Sequence, residues 1–182
     1  MPTAARSGRN VEIKLRLTDR AEAARVCAQL GAIYDDSLTQ VDTYYESSAR
    51  RIKKREETGR PPVLIVYDRP NAKSPTTSAY TIHPFHEAPA DVRGETVEPI
   101  AVVRKQREVW MYENVRIHLD SVEELGDFLE FEAIIDDDRD EIASREIVDH
   151  LLAAFRDAIG EVMGVSNLDL MLSRARTGAI HA

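Results

Sequence analysis

The chain has one cysteine, Cys27, which rules out an intramolecular disulfide and a cysteine-based metal cage. Quiet packing within a helix is its expected role. It also has no run near the roughly eighteen consecutive apolar residues of a membrane-spanning helix. Met1 to Arg9 lacks the apolar stretch of a secretory signal, so a cytoplasmic location is expected. Net positive charge is missing too. A formal charge of −8 argues against a general nucleic-acid binder, because phosphate backbones demand a basic surface. No P-loop, dinucleotide fingerprint or zinc spacing is found, nor any internal repeat or low-complexity tract. Lysine is scarce beside arginine, five against nineteen. Arginine's planar fork suits bidentate phosphate contacts, although genomic base composition gives the same bias, so the count carries little weight.

What remains is a chain of 182 residues, 31% charged and 43% apolar, a globular composition with room for one domain. The expected division is a tail over 1–8, a domain over 9–173 and a second tail over 174–182. Asn10 to Leu17 alternates strictly: Val11, Ile13, Leu15 and Leu17 on one face, Asn10, Glu12, Lys14 and Arg16 on the other. A strand is expected there. Thr18 and Asp19 offer N-cap oxygens to a helix reaching Leu30, with Gly31 at its end. Further strands are expected over Leu38–Glu46, Arg50–Glu56, Val63–Arg69, Thr76–His83, Ala101–Trp110, Asn114–Asp120 and Asp127–Ile135. Pro84 to Pro99, with Pro89 and Gly94, reads as a loop holding one helical turn. Asp136 to Asp140 precedes an amphipathic helix whose Ile147, Leu151, Phe155, Ile159 and Val162 recur until Gly164. Those acids complement a helix dipole better than they suggest a metal site. Leu168 to Ser173 reads as a last short helix.

Several of these strands oppose an apolar face to a charged one. Ile117 and Leu119 oppose Arg116, His118 and Asp120; Leu129 and Phe131 oppose Glu130 and Glu132. Arg51, Lys53 and Arg55 share a face, as do Lys105 and Arg107, and Tyr67 and Arg69. A single such strand would simply face water. About eight together can close into a barrel whose interior is the charged face, while the apolar faces pack outward against helices. The fold class expected is α+β, a closed antiparallel eight-stranded β tunnel with flanking helices. Interior charges are costly unless partnered. A ligand with several negative charges would neutralise Lys14, Lys53, Arg55, Arg69, Lys105, Arg107 and Arg116. Glu12, Asp120, Glu130 and Glu132 would suit Mg²⁺ or Mn²⁺, hard ions that bridge phosphates. His118 reads as a hydrogen-bonded structural residue before a metal ligand. Trp110 and Phe155 read as core. Ser78 and Tyr80 could touch phosphate, but no oriented base marks a nucleophilic serine, and no catalytic residue is assigned.

The same residues carry a family resemblance. Glu12-Ile-Lys14 resembles the latter part of the Glu-x-Glu-x-Lys signature of the CYTH family, and Arg51 to Glu56 resembles its basic strand. Tyr67 to Pro70, Ser78 to Tyr80, Val103 to Arg107, Arg116 to Val122 and Leu125 to Glu132 are similar to later family motifs, in order. The resemblance spans about residues 9–173. It implies a closed β tunnel and metal-dependent attack on a bound triphosphate, as in class IV adenylyl cyclases, thiamine triphosphatases and inorganic triphosphatases. It implies Glu12, Glu130 and Glu132 as metal ligands, Asp120 more weakly, and the seven bases above as phosphate ligands. The wording of Arg116–Asp120 and Leu125–Phe128 is closest to class IV adenylyl cyclase, so conversion of ATP to cyclic AMP and pyrophosphate is the first expectation. A triphosphatase acting on tripolyphosphate, thiamine triphosphate or a nucleotide is the second. Two positions depart from the pattern: Asn10 replaces the signature's first Glu, and Asn167 stands where a Tyr is expected. Asn10 motivates a third reading, a non-catalytic nucleotide or polyphosphate sensor. No nucleic-acid or membrane partner is expected. Some relatives form homodimers, and the sequence leaves that open.

Overall fold

A computed structural model describes residues 4–46, 50–88 and 98–179. In chain order the elements are β1 (Arg6–Leu17), α1 (Arg20–Leu30), β2 (Ile33–Tyr45), β3 (Arg51–Glu57), β4 (Arg60–Asp68) and β5 (Thr76–Pro84). A 3₁₀ turn (Phe85–Glu87) follows, then β6 (Pro99–Tyr112), β7 (Val115–Val122), β8 (Gly126–Ile135), α2 (Glu141–Ala154), β9 (Ile159–Val162) and α3 (Asn167–Ala179). The sheet runs β5-β4-β3-β2-β6-β7-β8-β1-β9, and β5 pairs with β1, so eight antiparallel strands close on themselves. Closure pairs the strand edges with one another, and where β1 runs past β5 its edge is taken by β9.

Because side chains alternate along a strand, closure sorts each strand's two faces into lumen and exterior. On β1, β7 and β8 the exterior residues are Val11, Ile13, Leu15, Leu17, Val115, Ile117, Leu119, Leu129, Phe131 and Ala133. They form one core with Ala23, Val26 and Cys27 of α1 and Ile147, Val148 and Leu151 of α2, together with Phe155 just beyond it. Phe155 meets Phe131 edge to face at 5.3 Å. Fully burying such a side chain is worth about 1.5–3 kcal/mol. Cys27 packs in this core as expected, and burial pushes its thiol up to about 12, which leaves it inert.

Cap chemistry sets the first helix. Asp19 accepts from the Glu22 amide, and Gly31 sits in the left-handed region at φ 74, a conformation cheap only for glycine. The long helix expected as far as Gly164 is instead two elements. α2 stops at Ala154, and Ile159 and Val162 lie on β9, which pairs with Leu17 and Leu15 of β1. Apolar spacing cannot separate these cases, since both bury the same residues against the end of β1. Asp140 caps α2 by accepting from the Ala143 amide, the helix-terminal role expected of that acidic run. Regular structure also passes both ends of the expected 9–173 domain: Arg6 to Gly8 pair with Ile82 to Tyr80, and α3 continues to Ala179. Within the expected Pro84–Pro99 loop one helical turn is present, while Pro89 and Gly94 lie outside the described residues.

α3 closes one end of the tunnel. There the inward residues turn apolar, and Tyr44, Val103, Val122 and Phe128 pack with Met163 and with Leu168 of α3. The Ser166 hydroxyl and amide and the Asp169 carboxylate and amide cap one another at the helix start.

Candidate active site

The lumen face of nearly every barrel strand carries charge, and the ladder register decides which charges meet. Asp42 on β2 lies opposite Arg55 on β3 and accepts from its Nε and Nη2, both at 2.7 Å, while Lys53 Nζ reaches the same carboxylate at 2.9 Å. Asp120 on β7 lies opposite Arg107 on β6 in the same way: Nε and Nη2 each donate at 2.6 Å, with Lys105 Nζ at 3.3 Å. Arg107 Nη2 also donates to Glu130 at 2.7 Å. Glu130 pairs with Lys14 at 2.9 Å, and Lys14 donates to the side-chain oxygen of Asn167 on α3. Arg69 holds Glu12 at 2.6 Å. Arg116, half-buried, is 3.7 Å from Glu132.

The structure therefore brings all seven expected bases and all four expected acids onto one inward face, and ten of the eleven, all but Asp120, line a single cavity. Asp120 is separate. It is fully buried beneath Arg107 and Lys105, and its oxygens are engaged as the counter-charge of that pair. Asp42, two strands away on β2, is the same kind of counter-charge for Arg55 and Lys53, with Gln40 and Tyr44 on the same inward face of β2. None of these three was singled out from sequence, although their alternation within Leu38–Glu46 matches that of the other strands. Asn10 and Asn167, the two departures, both line the cavity, and among the described residues the Asn10 side-chain oxygen is buried without a hydrogen-bond partner.

Glu12, Glu130 and Glu132 cluster across the β1–β8 pairing, where Glu12 faces Glu132 and Lys14 faces Glu130. Burial raises the Glu12 carboxyl to about 7, opposed by Arg69 and reinforced by Glu132 and Glu130. Burial also acts to raise Glu130, but Lys14 and Arg107 outweigh it and hold that carboxyl well below its ordinary value. Asp42 is held down likewise, burial being overcome by Arg55 and Lys53, and Asp120 is held at about 2 by Arg107 and Lys105 against its burial. On the basic side, burial and then Arg55 bring Lys53 down to about 7 despite Asp42.

The hydrogen-bonded role expected of His118 is not met at one of its ring nitrogens. Among the described residues its Nδ1 is buried without a hydrogen-bond partner, 3.8 Å from a Glu130 oxygen and 3.8 Å from a Glu132 oxygen. Burial, then Arg107, lowers its pKa, which keeps the ring neutral. Ligand atoms of His118, Glu130 and Glu132 all lie within 4.8 Å of one another. Two carboxylates and an unpartnered imidazole nitrogen fit a divalent cation. The remaining wall is different in character: Ile65, Tyr67, Tyr80 and Ile82 from β4 and β5 line the cavity beside the charges.

A closed β tunnel lined by opposed Lys/Arg and Glu/Asp side chains defines a class of anion-binding tunnel proteins. The CYTH domain model matches residues 8–156, and the chain belongs to the CYTH family. Enzymes of that family are metal-dependent. Solved structures place the same fold in PH1012 of Pyrococcus horikoshii OT3, at 19% identity over 88% of this chain and 98% of that one, with a TM-score of 0.72. A candidate adenylate cyclase from Vibrio parahaemolyticus is 19% identical over 91% of this chain and 99% of that one, with a TM-score of 0.66. Hippeastrum HpAC1, a candidate adenylyl cyclase described as having a dominant triphosphatase activity, is 19% identical over 90% and 95%, with a TM-score of 0.62. At these identities the likeness is one of fold. Comparison with curated proteins gives no significant match. Among the described residues no helix is long and apolar enough to cross a membrane.

Proposed function

We propose that the tunnel binds a triphosphate with a divalent cation, Mg²⁺ or Mn²⁺, and that the reaction is cyclisation of ATP to cyclic AMP and pyrophosphate. One observation carries the triphosphate part: inward cations Lys14, Lys53, Arg55, Arg69, Lys105, Arg107 and Arg116 outnumber the inward carboxylates, inside a closed barrel. A polyanion offsets that surplus, and a protein without one bears it as desolvated charge. Arg55 and Arg107 are fixed by Asp42 and Asp120, so their donors are oriented before any ligand arrives, the arrangement that stabilises developing charge at least reorganisation. The bonds to Asp120 and Glu130 use Nε and Nη2 of Arg107, which leaves Nη1 for a phosphate oxygen. A divalent cation held by Glu130, Glu132 and Glu12 would neutralise phosphate charge and orient the reacting phosphorus. Ile65, Tyr67, Tyr80 and Ile82 offer a wall for an organic group, which favours a nucleotide over bare tripolyphosphate.

Hydrolysis is the second reading. In a cyclase the ribose 3′-hydroxyl attacks the α-phosphorus; in a triphosphatase water attacks a terminal phosphorus, and one charged tunnel serves either. The fold shared with HpAC1, described as having a dominant triphosphatase activity, supports it. Product analysis separates them: purified protein is incubated with ATP, tripolyphosphate or thiamine triphosphate, with Mg²⁺ or Mn²⁺, from neutral to alkaline pH. Cyclic AMP with pyrophosphate is the expected outcome. Orthophosphate without cyclic nucleotide replaces the cyclase reading with hydrolysis, and tight metal-dependent binding without turnover replaces both with a sensor.

A further inference from the structure

His118 stands on β7 directly opposite Glu130 of β8, with its side chain 4% exposed. A histidine retained for structure has its ring nitrogens in hydrogen bonds, and a bond to a carboxylate spans about 2.7–2.9 Å. Among the described residues Nδ1 of His118 makes none; both nearby carboxylate oxygens stand at 3.8 Å. That distance is too long for a hydrogen bond. It is, however, the spacing of two groups that share one ion. Ligands about 2.2 Å from a metal and subtending 90–120° lie about 3.1–3.8 Å apart. At Glu132 the competition is weak, since Arg116 is 3.7 Å from its other oxygen, whereas the Glu130 oxygen beside His118 also accepts from Arg107 at 2.7 Å and would be shared with the ion.

We propose that His118 is a direct nitrogen ligand of the tunnel's divalent cation, beside Glu130 and Glu132, and that the site therefore selects a transition-metal ion such as Mn²⁺ over Mg²⁺. The inference rests on the reading of the tunnel as a metal–triphosphate site. Its selectivity follows from ligand type. Mg²⁺ keeps to oxygen donors and sheds water reluctantly, whereas an imidazole nitrogen adds affinity for d-block ions. An all-carboxylate site would lack that bias. The position lost as a carboxylate at Asn10 is consistent with the ion lying toward β7 and β8, away from the start of β1.

The test is a binding spectrum and needs no turnover. Mn²⁺ is titrated into the full chain with and without tripolyphosphate, the free ion is followed by its EPR signal, and the bound ion is examined by pulsed EPR. A directly bound imidazole gives ¹⁴N modulation, which changes to the ¹⁵N pattern in protein carrying ¹⁵N-histidine. The expected result is histidine nitrogen on bound Mn²⁺, poor displacement by excess Mg²⁺, and loss of the modulation in His118→Leu. That variant should weaken Mn²⁺ by more than the 10–100-fold typical of outer-shell partners, on the order of 100-fold or above. Bound Mn²⁺ without nitrogen coupling overturns the His118 assignment and leaves the metal reading standing. Absence of Mn²⁺ binding in every condition overturns both. Should His118→Leu fail to fold, the isotope-labelled wild-type spectrum still decides.

Discussion

Two carboxylates in the same lumen should respond oppositely to removal, because one neutralises fixed cations and the other does not. Asp42 is 1% exposed and carries a bidentate Arg55 and Lys53. Asp42→Asn leaves both cations buried without their counter-charge, so a loss of about 3–5 kcal/mol is expected by urea denaturation. A loss below about 1 kcal/mol would mean that water already screens the pair. Among the described residues Glu132 has as ion-pair partners Arg116 at 3.7 Å and His118 at 3.8 Å. Glu132→Ala should keep the fold within about 1 kcal/mol while metal-dependent turnover falls about 100-fold or more. Unchanged activity in a folded variant would remove Glu132 from the metal site. The inward bases were legible from parity alone, since each occupies the same face as its neighbours two residues away. What parity could not convey is pairing. Arg107 reads from sequence as a phosphate ligand, yet its bidentate grip on Asp120 also makes it structural, so Arg107→Ala combines a folding defect with any loss of binding. Asp42 escaped notice although it obeys the same parity, because it stands among neutral and aromatic residues and breaks no local pattern.

Among the elements, those with chemical punctuation were readable and those defined by a distant partner were not. Asp19 and Gly31 bound α1 through local bonds that any sequence window contains. β9 exists because β1 runs past its pairing with β5, which ends at Glu12, and so still offers an edge there, a fact about strands nearly 150 residues apart in number order, invisible to a periodicity. α3 combines both kinds of signal. Ser166 and Asp169 form a local reciprocal cap, while Lys14 to Asn167 and Arg51 to Asp169, the latter at 3.2 Å, tie the helix to the barrel. Ser166→Ala removes the cap hydroxyl, at a cost of about 1 kcal/mol. Amide exchange over the first turn of α3 should then accelerate about fivefold with β7 and β8 unaffected. Equal acceleration throughout the barrel would show that α3 and the tunnel open as one unit.

At the scale of the whole molecule, a closed barrel with a charged interior has a pH profile set by the groups that burial displaces. Glu12 moves from 4.5 in an unfolded chain to about 7. Below pH 4.5 both states hold its proton; between 4.5 and 7 only the folded state does, so stability falls as pH rises and stays lowered above 7. Lys53 moves from 10.5 down to about 7. Between 7 and 10.5 the unfolded state holds a proton that the folded state has released, so stability recovers as pH rises, and the full penalty applies below 7. Together these opposed limbs put a trough near pH 7 in the ligand-free protein. Urea midpoints from pH 5 to 9.5 should trace it, with the falling limb reduced in Glu12→Gln and the rising limb reduced in Lys53→Met. A wild-type profile without the trough, or variants that shift neither limb, would mean that the two groups titrate as they do in water. Adding Mn²⁺ with tripolyphosphate brings a cation toward Glu12 and an anion toward Lys53 at once, beyond what Arg69 and Asp42 already supply. At a hundred times the wild-type dissociation constant, that ligand should fill the trough by about 2.7 kcal/mol, and a matching gain in Glu132→Ala at the same ligand concentration would place the ion elsewhere.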